Sequence, residues 1–176
     1  YSMRMIPALY EELCNTYKWT TFEKTVWTAM EEVSASHAGC GVMIQAATGG
    51  VGLVAVPCGQ RAGTRVGATA GRSEKQAYLR SLGVSVVTSS RDSSAFAAEA
   101  GPMLGTDHRV GLVLNSLSHD EYIPGGVSLL GEAGQFVEIG KRGIWSRTLM
   151  AAKHHVRYKL VAVDLLAERD PWWQHS

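Results

Sequence analysis

Residues 41–52 read Gly-Val-Met-Ile-Gln-Ala-Ala-Thr-Gly-Gly-Val-Gly, and they constrain the fold more than any other stretch. The apolar run Val42-Met43-Ile44 suits a buried strand. The small residues through Thr48, Gly49, Gly50, Val51 and Gly52 suit a tight turn, and Leu53-Val54-Ala55-Val56 continues as an apolar helix. Strand, glycine-rich turn and helix in succession form the opening unit of a dinucleotide-binding βαβ. Glycine tolerates the positive φ that such a turn can require. Bare backbone lets a pyrophosphate approach, and the new helix points free N–H groups and its positive dipole end at the phosphates. The same residues also suit a strand-to-helix turn that holds no ligand, since a glycine pattern alone is a weak signal.

The remaining chain continues the alternation. Helices are predicted over 50–61, 73–82, 92–104 and 119–130, and strands over 65–70, 84–88, 110–115, 134–140 and 156–163. Two of these helices carry breakers. Pro57 falls inside the first, so that helix is either bent or shorter, and Pro124-Gly125-Gly126 interrupts the last. Gly83 stands where a helix stop is expected, and Asp92 or Ser93 is the N-cap of the third helix. Strands alternating with helices predict an α/β fold, a doubly wound parallel sheet of the Rossmann type over 41–168, with apolar strands buried on both faces. Residues 1–40 are expected to be helical, with Phe22, Val26, Ala29 and Val33 on one stripe, and 169–176 to be a tail.

Composition narrows the function classes. The 176 residues hold 17 Lys and Arg against 16 Asp and Glu, and this balance argues against a nucleic-acid or polybasic membrane partner. No apolar run has the length of a bilayer span, and no signal peptide is expected at the N-terminus. Cys14, Cys40 and Cys58 are odd in number and far apart, which fits a reducing, cytoplasmic compartment rather than a disulfide framework. No zinc or other metal site is expected, because the cysteines lack a Cys-x-x-Cys spacing and the adjacent His154 and His155 point in different directions. Trp172-Trp173 would be costly to expose and is expected to pack on a neighbour.

Cofactor choice is read at the end of the second strand. Chains specific for NAD usually carry an acid there for the ribose hydroxyls. This chain reads Thr69-Ala70-Gly71-Arg72-Ser73-Glu74-Lys75, with no carboxylate closing the strand and cations at Arg72 and Lys75. These two, with the Ser73 hydroxyl, can take a ribose 2′-phosphate, although they also suit a solvated helix start. Lys141 follows the fifth strand, at the edge where open α/β sheets place their ligands, and Asp164 follows the sixth. A lysine can donate a proton and a carboxylate can orient it; the same pair can also be a surface ion pair of no functional weight.

Several stretches then align in order: 44–52, 68–79, Ser89-Ser90-Arg91-Asp92, Val113-Leu114-Asn115-Ser116-Leu117, 136–141 and Val163-Asp164-Leu165-Leu166. Together they resemble the enoyl-reductase domain of polyketide synthases and animal-type fatty-acid synthases, within the zinc-independent medium-chain dehydrogenase/reductase superfamily. The resemblance covers roughly residues 40–168. It implies NADPH as cofactor, a 2-enoyl thioester on an acyl carrier protein as substrate, and neighbouring synthase domains as partners. It places a lysine at Lys75, the adenosine-side loop at Ser90 and Arg91, and the turn near the nicotinamide ribose at Asn115 and Ser116. It puts Lys141 and Asp164 in the active site as candidates for protonating the substrate. The family's substrate lobe is expected to be absent or reduced to a remnant, and its tyrosine is matched by type alone to Tyr10 or Tyr17. Two other outcomes stay open: an inactive structural module of a megasynthase, and a quinone-reductase-like enzyme acting on free small molecules.

Overall fold

The computed structural model describes residues 40–104, 110–119, 121–140, 143–153 and 156–161. The expectations placed on 1–39, on Lys141, on His154 and His155, and on Asp164 and the two terminal tryptophans lie outside the described residues.

Six strands alternate with five helices among the described residues. The strands are β1 (Gly41–Ile44), β2 (Arg65–Ala70), β3 (Val86–Ser89), β4 (Val110–Asn115), β5 (Leu130–Glu138) and β6 (Val156–Leu160). The helices are α1 (Gly50–Arg61), α2 (Ser73–Ser81), α3 (Ser93–Leu104), α4 (Tyr122–Leu129) and α5 (Arg147–Ala151). Every strand pairing is parallel, and the spatial order is β3-β2-β1-β4-β5-β6. The chain winds outward from β1 to β3, then crosses back to β4 and winds the other way. The switch between β1 and β4 opens a crevice at the carboxyl ends of the strands.

Alternation along the strands divides the core into two layers. Val42, Ile44, Val66, Ala68, Leu112, Leu114 and Val137 face α1 and α2, where Ala55, Val56 and Leu79 meet them. Met43, Val86, Val113 and Phe136 face the other way, against Phe96 of α3, Tyr122, Ile123 and Val127 of α4, and Met150 of α5. Neighbouring residues on one strand therefore enter opposite layers, as the strand period of two requires.

The structure departs from the predicted elements in several places. α1 runs unbroken from Gly50 to Arg61 with Pro57 inside it. α4 starts three residues later than predicted, which puts Pro124 in its first turn, where a missing N–H breaks no helical bond. Gly126 then faces the sheet: a Cβ there would lie 3.1 Å from the Phe136 ring and 3.3 Å from Val113, so the bare backbone lets α4 pack closely. β5 begins at Leu130 rather than 134, because Leu130 already pairs with Val110 across an irregularity in the β4–β5 register. β3 begins two residues later than predicted. α5 was not predicted; it is a single short turn capped by Ser146, whose Oγ accepts the Leu149 N–H at 3.1 Å. Gly83 ends α2 as expected, with φ at +81°.

Candidate functional site

The crevice is built from the glycine loop upward. The end of β1 is latched to β2: the Ala46 N–H donates to Thr69 Oγ1 and the Ala47 N–H to the Thr69 carbonyl, both at 2.9 Å. The residue with positive φ in this turn is Ala46, at +48°. The loop glycines Gly49, Gly50 and Gly52 are not among the residues of positive φ, so conformational freedom is not what the turn requires of them. Gly52 answers instead to close approach. A Cβ there would collide with the Ala47 backbone, 2.5 Å from its carbonyl oxygen. Gly49 is the N-cap of α1 and brings no side chain to cap it, so the first N–H groups of the helix are left for another partner.

Beside this turn lies a cleft of about 370 Å³ lined by Ala46, Thr48, Gly49, Gly71, Arg72, Lys75, Ser90 and Arg91. Three loops converge there, one each from the ends of β1, β2 and β3. Among the described residues the lining holds three cations and no carboxylate, so the cleft favours an anion. The β3 loop is shaped by Ser89, whose Oγ accepts the Arg91 and Asp92 N–H groups at 3.1 Å, while Asp92 Oδ1 caps α3 through the Ala95 N–H at 2.9 Å. Gly71 lets the Arg91 side chain cross the end of β2: a Cβ there would sit 2.8 Å from Arg91 Nε and 3.1 Å from Ser90 Oγ. Of the residues singled out from the sequence, Thr48, Gly49, Arg72, Lys75, Ser90 and Arg91 therefore come together. Gly50, Val51, Gly52, Ser73, Asn115 and Ser116 do not line this cleft, and Lys141 and Asp164 are outside the described residues.

Asn115 and Ser116 lie across the switch point, at the end of β4. The Ser116 hydroxyl donates to the Gln45 carbonyl at 3.1 Å, tying β4 to the glycine loop. Asn115 is fully buried, and its Nδ2 donates to Glu138 Oε2 at 2.6 Å, directly opposite on β5. Glu138 is fully buried as well. Its Oε1 accepts the Gly140 N–H at 2.6 Å and the Ser118 hydroxyl at 3.4 Å. Burial pushes the Glu138 carboxyl above the ordinary carboxylate range, against these hydrogen bonds, which favour the charged form. Sequence reasoning passed over Glu138; the available signal was a carboxylate inside the apolar run Phe136-Val137-Glu138-Ile139. Among the described residues no group of His, Cys, Asp and Glu is arranged to hold a metal ion, and no helix is long and apolar enough to cross a membrane.

No family model matches the chain. Known proteins do. The X-ray structure of the nucleotide-binding subdomain of the enoylreductase domain of PpsC from Mycobacterium tuberculosis superposes with a TM-score of 0.74 at 34% identity, covering 88% of this chain and 89% of that one. The CurF ER cyclopropanase of the curacin A biosynthetic pathway superposes with a TM-score of 0.78 at 31% identity, covering 88% of this chain and 45% of that one. In sequence, a mycocerosic acid synthase-like polyketide synthase of Mycolicibacterium smegmatis is 39% identical over 151 residues, which is 84% of this chain. The chain spans about 7% of the length of such curated relatives. With its six-stranded parallel sheet and its glycine loop at the switch point, the chain belongs to the polyketide-synthase enoyl reductase domains and matches their nucleotide-binding subdomain.

Proposed function

We propose that this chain binds NADPH as the nucleotide-binding part of an enoyl reductase acting on 2-enoyl thioesters carried by an acyl carrier protein. The observation that carries this reading is the cationic cleft at the ends of β1, β2 and β3. Its three basic side chains, with no carboxylate among the described lining residues, suit a ribose 2′-phosphate and disfavour the acid-dependent recognition of NAD.

The residues fit the group in chain order. Thr48, Gly49, Gly50, Val51 and Gly52 present backbone at the uncapped start of α1 to the pyrophosphate. Arg72 and Lys75 take the 2′-phosphate, with Ser73 beside them at the start of α2, and Ser90 and Arg91 flank the adenosine side. Asn115 and Ser116 shape the nicotinamide end. When bound, the nicotinamide supplies the reducing hydride for the β-carbon of the enoyl group. In this reading Lys141 donates the proton taken up at the α-carbon, and Asp164 keeps that lysine charged and oriented. Neighbouring synthase domains present the carrier-bound substrate.

Titration with NADPH and NADH, followed by nicotinamide fluorescence, tests the cofactor assignment. NADPH is expected to bind roughly tenfold more tightly or better, a difference of about 1.4 kcal/mol. The double variant Arg72→Ala, Lys75→Ala is expected to lose that preference. Equal affinity for both cofactors in the unmutated chain would defeat the reading.

A further inference from the structure

The carboxyl ends of the strands carry a buried polar row on the face covered by α3, α4 and α5. Thr69 pairs with Thr88, and Asn115 pairs with Glu138. Gln45 continues β1 between these two pairs, its N–H bonded to the Leu114 carbonyl at 3.0 Å. All five side chains are at least nine-tenths buried. Three of their atoms have no hydrogen-bond partner among the described residues: Gln45 Oε1, Thr88 Oγ1 and Asn115 Oδ1. A row of this kind is expensive to bury, and packing alone would favour aliphatic residues.

The acidic member of the row is also its best-connected one. Glu138 gathers Asn115 from β4, Ser118 from the loop after β4, and Gly140 from the loop after β5. The described ends of those loops are packed to the limit around it. A Cβ at Gly140 would collide with Ser118 Oγ and lie 2.6 Å from Glu138 Oε1, and one at Gly143, whose φ is +67°, would lie 2.8 Å from the Ser118 carbonyl. Gly140 and Gly143 are therefore both packed onto Ser118, with the carboxylate as the inner anchor. The bond to Glu138 also fixes the Asn115 carboxamide, with Nδ2 committed and Oδ1 left as the acceptor.

We propose that Glu138 is a positioning residue for the nicotinamide half of the bound cofactor: by holding Asn115, Ser118 and Gly140 together, it sets the shape of the crevice on the side away from the phosphate cleft. This rests on the cofactor reading above. It separates the site into two halves with different supports. The phosphate half depends on Arg72, Lys75, Ser90 and Arg91, and the nicotinamide half depends on a fully buried carboxylate.

The two halves can be probed with two ligands. NADPH spans both, whereas adenosine 2′,5′-bisphosphate carries only the adenosine with its 2′- and 5′-phosphates and lacks the nicotinamide half. Affinities are measured by calorimetry for the unmutated chain, Glu138→Gln and Gly140→Ala. Glutamine keeps the shape but sets an NH₂ against either Asn115 Nδ2 or the Gly140 N–H, so one donor loses its acceptor. Gly140→Ala pushes the carboxylate aside without removing it, and it keeps the test informative if Glu138→Gln does not fold. Either substitution is expected to weaken NADPH about tenfold and to leave the bisphosphate within about twofold. Equal weakening of both ligands would reduce Glu138 to general support of the fold, and unchanged NADPH affinity would remove its role; each overturns the proposal. Failure of the unmutated chain to bind either ligand overturns the cofactor reading itself, and this proposal with it.

Discussion

Replacing Gly52 with alanine sets two effects against each other, and the structure decides which wins. Alanine is the better helix former by about 1 kcal/mol in a helix interior, and less in the first turn where Gly52 sits. The added methyl, however, would lie 2.5 Å from the Ala47 carbonyl oxygen and 2.6 Å from its carbon, where ordinary contact begins at 3.4 Å. The start of α1 must then move away from β1 by about 1 Å. The obstructing atoms are backbone, and Ala47 is itself latched to the Thr69 carbonyl, so neither side can yield by a rotamer change. Overpacking of this kind costs about 1–3 kcal/mol, which exceeds the propensity gain. Gly52→Ala is therefore expected to destabilise the chain by about 1–2 kcal/mol in urea unfolding followed by circular dichroism, and to weaken NADPH further by displacing the helix start. A variant as stable as the parent, with unchanged affinity, would refute the claim that close strand–helix approach is the reason for glycine at 52.

Gly50→Asp places a carboxylate at the first residue of α1, which helix electrostatics favour but a phosphate does not. Circular dichroism is expected to show the fold intact while calorimetry shows NADPH affinity reduced at least tenfold, about 1.4 kcal/mol. Glu138 makes stability depend on pH in a stated direction. Burial raises its pKa in the folded chain, so between the ordinary carboxylate value and the raised one the folded state holds a proton that the unfolded state releases. The stabilisation is complete below that window and is lost as pH rises through it. Urea midpoints measured across the window are expected to fall with rising pH, and Glu138→Gln is expected to flatten that part of the curve.

Much of the fold was legible because its strands are short apolar runs bounded by turn residues. β2, β4 and α1 lie where the pattern places them, and Gly83 ends α2 through the positive φ that its position suggested. The boundary between α4 and β5 was not legible. Pro124-Gly125-Gly126 reads locally as a break, but the proline falls in a first turn that tolerates it and Gly126 serves contact with Phe136 and Val113. That contact joins residues far apart in the chain. The glycine loop was recognised through its pattern, yet the physical reason differs: Ala46 takes the positive φ, while Gly52 makes room for Ala47. That Arg72 and Lys75 share a cleft with Ser90 and Arg91 was legible in part: the first two follow the end of β2, the other two were placed by the family resemblance, and a parallel sheet brings its strand ends together. Glu138 was not, because its meaning depends on Asn115, 23 residues earlier and adjacent only once β4 and β5 pair.

The central claim is that the cleft at the ends of β1, β2 and β3 is the phosphate-binding half of an NADPH site. Amide chemical-shift mapping with adenosine 2′,5′-bisphosphate addresses it residue by residue in a chain of 19.0 kDa. Saturable shifts are expected, confined to Thr48, Gly49, Gly71, Arg72, Lys75, Ser90 and Arg91 and their immediate neighbours, and abolished by Arg72→Ala, Lys75→Ala. Shifts centred elsewhere on the sheet, or none at millimolar ligand, would contradict it.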